Sequence, residues 1–246
     1  MNASDIAVAI LFFLTALFYS SVGFGGASGY MAVMEFAAFA PAIMKPTALF
    51  INILVSAIAT ARFYRAGCFS WKLFLPFALA SVPFAFLGGA LSLPAHIYRP
   101  IVGGVLLYAA FQLFRSSVKP VSTAKAVPIY LALLFGSGIG LLSGLTGIGG
   151  GIFLSPLLLL IGWADPRQTA GISAAFILVN SVAGIGGHLS MMNTLPPSPS
   201  LLTWSVAAIA GGLIGSGFGS RHFSNSTLRR ILAVVLVIAG LKFLIF

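Results

Sequence analysis

Apolar stretches follow one another along the whole chain, separated only by short polar breaks. Residues 6–22, 26–40, 46–64, 72–93 and 98–115 form one set, and 128–146, 151–162, 168–188, 201–220 and 229–246 form a second. Most are long enough to cross a hydrocarbon core of ~30 Å as helices. Two are not. At 1.5 Å per residue, 151–162 rises only ~18 Å and 26–40 ~22 Å. These two fit half-helices of re-entrant hairpins that turn near mid-membrane, which leaves six full crossings.

The two sets read as copies. Gly23-Phe-Gly-Gly26 matches Gly147-Ile-Gly-Gly150, and Thr47-Ala48 matches Thr169-Ala170. Arg99, Ile101, Leu106 and Ala109 match Arg229, Ile231, Leu236 and Ala239 in the same order. Internal repeats of this kind are common in secondary transporters. The expected fold is therefore an all-α polytopic membrane protein in one domain, 1–246. Repeat one covers about 5–115, a basic linker about 116–127, and repeat two about 128–246. Each repeat comprises a re-entrant helical hairpin plus three transmembrane helices.

Composition agrees with this. Hydrophobic residues make up 59% of the chain, charged residues 7%, and mean hydropathy is +1.09; soluble domains carry roughly 25% charged residues. The net charge of +10 raises nucleic acid as a partner, but the basic residues sit in short loops between apolar segments. That is the positive-inside bias of a membrane protein, so membrane lipid and no nucleic acid is expected. The sole cysteine, Cys68, excludes an internal disulfide and a multi-thiolate metal site. The N-terminus lacks the cationic region of a cleaved signal peptide, so the first apolar run reads as a retained membrane segment.

Charge also orders the topology. If each glycine motif turns the chain back, the loops at 62–72, 115–127, 162–168 and 221–230 share one face. That face then holds ten of the thirteen basic residues, leaving Lys45, Arg99 and Lys242 opposite. If each pair of segments is instead a single crossing, the basic residues divide seven to six. The bias favours the first arrangement, with inverted repeats and both termini outside an inner (plasma) membrane.

Candidate chemistry centres on the two glycine motifs. A helix break within the membrane leaves N–H groups unpaired at the start of the following half-helix, where the helix dipole is positive. Glycines Gly23, Gly25 and Gly26, and Gly147, Gly149 and Gly150, allow close backbone approach, so each turn can cradle an anion. Ser20, Ser21 and Ser28 flank the first turn, and Ser143 and Thr146 precede the second; all can donate hydrogen bonds without a fixed charge. Asn52, Ser56 and Thr60 share one helix face, as do Ser173 and Asn180. The competing account of these residues is close helix packing and interhelical hydrogen bonding. Glu35 is an acid well inside an apolar segment, a candidate proton-coupling carboxyl or an interface residue. His188 reads as an interface residue. Arg62 and Arg65 read as helix-end anchors that could also draw an anion to the cytoplasmic mouth.

No phosphate-binding loop is present, since Gly144-Leu-Thr-Gly147 is not followed by Gly-Lys-Ser/Thr. No cofactor, metal ligand set or catalytic constellation stands out, so no enzymatic activity is expected.

Three stretches resemble the TauE/SafE family of sulfite exporters and related organosulfur anion permeases. They are Gly23-Phe-Gly-Gly-Ala27, Gly144-Leu-Thr-Gly-Ile-Gly-Gly-Gly151 and Asp165-Pro-Arg-Gln-Thr-Ala-Gly-Ile-Ser173. The first half departs at the last of these, carrying Lys45-Pro-Thr-Ala48 where the second has the Asp165 stretch. The resemblance implies export of sulfite, sulfonates or related carboxylate anions. The leading expectation is a secondary-active exporter of a small anion, working by alternating access around the paired turns. An anion channel and a non-transporting membrane scaffold or assembly factor stay open beside it, as does a homo-oligomer.

Overall fold

The computed structural model describes residues 3–39, 41–91, 95–115, 127–192 and 201–245. Ten helices are found among them: α1 (Ala3–Ser21), α2 (Ala27–Phe36), α3 (Pro41–Arg65), α4 (Trp71–Ala90) and α5 (Ala95–Arg115), then α6 (Ile129–Thr146), α7 (Gly151–Ile161), α8 (Pro166–Met192), α9 (Leu201–Arg221) and α10 (Asn225–Ile245). No strand occurs among the described residues. Most of the basic linker, residues 116–126, lies outside the described residues.

Among the described residues, five helices are long and apolar enough to cross a membrane: Ile43–Arg65, Trp71–Ala90, Ile129–Thr146, Pro166–Met191 and Leu201–Arg221. They include four of the six expected crossings, α3, α4, α8 and α9, together with α6, expected as a hairpin arm. The other two expected crossings, α5 and α10, have the length, 21 residues each. Large apolar side chains such as Leu79, Leu202 and Val206 point outward, as a lipid-facing surface requires.

The antiparallel pair α3 and α8 lies at the centre, and α5 packs on α10. The flanking pairs exchange partners between the halves: α1 packs along α9 and α6 along α4, while α4 also meets α8 and α9 also meets α3. Glycine ladders at a spacing of four build both seams. On α9, a Cβ at Gly211, Gly215 or Gly219 would strike the carbonyl of Phe13, Leu17 or Ser21 on α1. On α6, one at Gly136, Gly140 or Gly144 would strike the carbonyl of Phe77, Ser81 or Ala85 on α4. Both residue series ascend together, so the two helices of each seam run in the same direction. Small residues every fourth position are how membrane helices reach backbone contact, since hydrocarbon provides no hydrophobic drive between them.

The ladders show how far the first hairpin reaches. Ser21, the last residue of α1, is level with Gly219 near the end of α9. The first arm therefore lies along nearly the whole of α9. The tip at Gly23 rests on Ala170 in the first turns of α8, whereas the tip at Gly147 rests on Lys45 in the first turns of α3. Because α3 and α8 are antiparallel, these tips lie toward opposite ends of the bundle. The return arms are short, as expected of half-helices, α2 with 10 residues and α7 with 11. Nothing in the apolar runs of α1 and α6 breaks the helix before the first glycine held at positive φ, Gly23 at 80° and Gly147 at 74°.

Candidate functional site

After each tip the chain doubles back and starts a short helix from a glycine in the left-handed region. Gly26 (φ 99°) caps α2 and Gly150 (φ 78°) caps α7, and neither helix start receives a side-chain hydrogen bond. An L side chain is strained at this φ, and only glycine enters it freely. The first N–H groups of both helices are thus left for another partner, at the positive end of each dipole.

Asn52, midway along α3 and fully buried, lies between the two turns. Its Nδ2 donates to the Ile148 carbonyl of the second turn at 3.2 Å and to Ser181 Oγ on α8 at 3.0 Å. Its Oδ1 has no hydrogen-bond partner and stands where a Cβ on Gly25 of the first turn would be. A Cβ on Gly149 would meet Asn52 Nδ2 and Ser181 Oγ. One asparagine thus requires glycine in both turns.

Both turns also border one small cavity. Tyr19, Gly25, Gly26 and Ser28 line it from the first half, and Ile148, Ile152 and Ile177 from the second. Its volume is about 10 Å³, room for roughly one water. Ser28 Oγ donates to the Tyr19 hydroxyl at 3.2 Å, leaving the Tyr19 proton free to donate into the cavity. Tyr30, in the first turn of α2, donates to the Gly25 carbonyl at 2.8 Å and braces the loop from behind. No carboxylate borders the cavity among the described residues.

The remaining sequence candidates divide clearly. Gly23 and Gly147 form the tips, away from the cavity. Ser143 is buried beside Gly150, and its hydroxyl has no partner. Ser20 donates to the Gly212 carbonyl in the α1–α9 seam, and Ser21 to the Phe18 carbonyl. Thr146 bonds back to Leu142, and Ser173 pairs with Ser155. Asn180 accepts from Ser81 Oγ and donates to the Phe176 carbonyl, joining α4 to α8. Ser20, Ser173 and Asn180 thus join neighbouring helices, while Ser21 and Thr146 bond back within their own. Glu35 sits in the last turn of α2, about 13 Å along the axis from Gly26, and does not reach the cavity. Asp165 caps α8, its Oδ1 accepting from the N–H groups of Arg167 and Gln168 at 2.8 and 3.0 Å, with Pro166 at the first helical position.

Sequence reading missed four residues here. Tyr19 and Ser181 carried no motif signal. Lys45 and Lys242 were assigned to the sparse outer face, yet both turn toward the hairpins. The Lys45 stem covers Gly147 while its Nζ donates to the Gly89 carbonyl at 3.4 Å, and Lys242 Nζ donates to the Ser28 carbonyl at 3.3 Å. Only the packing reveals this.

A family model described as sulfite exporter TauE/SafE matches residues 8–243. The chain belongs to the TauE/SafE family. A Sinorhizobium fredii relative described as probable membrane transporter protein y4hK is 43% identical over 99% of this chain and all of its own length. Bacillus subtilis YjnA, with the same description, is 26% identical over 89% of this chain and 92% of its own. A Haemophilus influenzae protein so described is 27% identical over 81% of each chain. No solved structure matches the chain. Membership in the TauE/SafE family, with several spanning helices, makes this a multi-pass membrane transporter.

Proposed function

We propose that this transporter is a secondary-active exporter of a small sulfur-containing or carboxylate anion, of the sulfite or sulfonate type. The anion binds between the glycine turns, and the halves rock around it to alternate access. The observation that carries the reading is the single cavity bordered by both turns. It receives two helix starts and the Tyr19 hydroxyl, and no carboxylate borders it among the described residues. Donors without fixed charge can hold an oxyanion and release it. Lys45 and Lys242 add positive potential from behind. The exchange of partners between α1–α9 and α6–α4 supports a two-fold relation of the halves, and the charge bias supports inverted halves with both termini outside the inner membrane. Glu35 has no part in binding, given its distance from Gly26.

Thermal unfolding of detergent-purified protein tests this. Sulfite, thiosulfate, taurine, sulfoacetate and short carboxylates are added one at a time, with sulfate for comparison. Ligand binding to the native state raises Tm by mass action. The reading expects a selective rise that Gly149→Val abolishes, and flux of the same anion in proteoliposomes. Folded protein that responds to no anion and passes none overturns it. Flux that never saturates moves the assignment to a channel.

A further inference from the structure

Away from the glycine turns, the ends of α3 and α9 frame a groove open to the surroundings of the bundle. It consists of two adjoining cavities of about 380 and 300 Å³ that share Arg62, Leu213 and Arg221. Such volumes fall in the range of small-molecule sites. Arg65 borders one cavity and His222 the other, so three guanidiniums gather at one end.

No carboxylate lines either cavity among the described residues. Its only acids are Asp5, Glu35 and Asp165. Asp165 caps α8. Asp5 lies at the start of α1, the end level with the start of α9 and so opposite Arg221, and Glu35 lies at the far end of α2. The anion that neutralises this groove must come from outside.

The wall selects among anions. Leu213, Ile214 and Phe218 line the groove while remaining 39–48% exposed. On a membrane-spanning helix that exposure is to lipid. A small hydrophilic anion gains nothing from such a wall. An anionic phospholipid uses both parts, its phosphate pairing with guanidiniums in the planar fork geometry and its chain covering the apolar strip. Basic pockets between spanning helices on the cytoplasmic side suit this ligand.

We propose that the groove between α3 and α9 binds one anionic phospholipid, with its phosphate on Arg62 and Arg221 and an acyl chain along Leu213, Ile214 and Phe218. The lipid clamps α9 to α3 at the end where α9 also supports the first glycine hairpin through Gly219. This assignment is independent of which anion is transported.

The test is thermal unfolding of the full chain in neutral detergent, with phosphatidylglycerol, phosphatidylcholine of the same acyl chains, or inorganic phosphate added. Phosphatidylglycerol should raise Tm by at least ~3 °C, and the other two should not. The double variant Arg62→Gln/Arg221→Gln should lose that rise, whereas Lys72→Gln/Arg230→Gln should keep it. Gly217→Leu supplies a second arm that retains every charge. A Cβ there meets only the Arg62 guanidinium, at 3.7 Å, so leucine fills the groove without a backbone clash and should also abolish the rise. If the arginine variant fails to fold, Gly217→Leu decides alone. A rise that survives in the groove variants overturns the proposal, as does an equal rise with inorganic phosphate, which would make the groove a site for a free anion.

Discussion

Asn52 Oδ1 occupies the space that a methyl group on Gly25 would need, although 26 residues of chain separate the two. The first glycine turn is therefore held against the central helix by the absence of a side chain. Gly25→Ala should cost about 1–3 kcal/mol, the usual range for overpacking a tight site, and should abolish transport. Asn52→Ala removes the obstacle. The double variant should regain part of the lost stability without regaining transport, since Asn52 also ties Ile148 to Ser181. Chemical denaturation of the two single variants and the double variant gives the coupling. Strict additivity would show that the two residues do not meet.

Lys45 provides a separate test of the electrostatics. Lys45→Met keeps an apolar stem over Gly147 and removes the charge behind the second turn. The affinity for the transported anion should fall roughly tenfold, the effect of ~1.4 kcal/mol of lost charge interaction at intermediate dielectric. Lys72→Met, on the start of α4, should leave it unchanged. Initial flux rates measured against anion concentration distinguish the two variants, and equal KM values would remove Lys45 from the site.

The sequence made the helices legible because a membrane leaves the backbone few options: long apolar runs must be helices. All ten segments were placed to within a few residues, apart from longer shifts at several helix ends such as those of α2, α3 and α8. The turns were found as well, through the repeat of Gly23-Phe-Gly-Gly26 in Gly147-Ile-Gly-Gly150. How the halves interlock was not legible, because the pairing of α1 with α9 and of α6 with α4 rests on glycine-to-backbone contacts that composition does not record. The site was only partly so. A serine on a helix reads the same whether it faces a cavity, as Ser28 does, or bonds a neighbouring carbonyl, as Ser20 does. Lys45 looked like a loop charge because a long flexible stem can turn inward as easily as outward.

The glycine ladders give paired predictions on one helix. Gly140 meets the backbone of Ser81, whereas Gly138, two residues earlier, has nothing within 4 Å of a would-be Cβ. Gly140→Ala should destabilise the protein by about 1–3 kcal/mol, because a backbone atom cannot move aside as a side chain can. Gly138→Ala should be neutral or mildly stabilising, given the helix propensity gain of up to ~1 kcal/mol. Thermal unfolding in one detergent compares them directly. Equal losses would mean that α6 does not lie on α4 through this face.

Cys68, in the loop between α3 and α4, reports on topology and local charge together. Burial pushes its thiol above the ordinary value; Arg167 opposes that shift and Asp165 adds to it. The thiolate is the reactive form, so a membrane-impermeant maleimide should label Cys68 slowly at neutral pH. Its rate should keep climbing, by about tenfold per pH unit, beyond the pH at which an ordinary thiol levels off. Arg167→Gln removes the opposing charge and should slow labelling further, while Arg167→Lys should restore it. The same raised value means that the folded chain holds its proton where the unfolded chain has lost it. Cys68 therefore leaves stability unaffected below the ordinary thiol range and lowers it as pH rises through that range, a dependence absent in Cys68→Ser. With the basic face in the cytoplasm, labelling should occur in inside-out vesicles and not in right-side-out ones. The opposite pattern would invert the topology and place both termini in the cytoplasm.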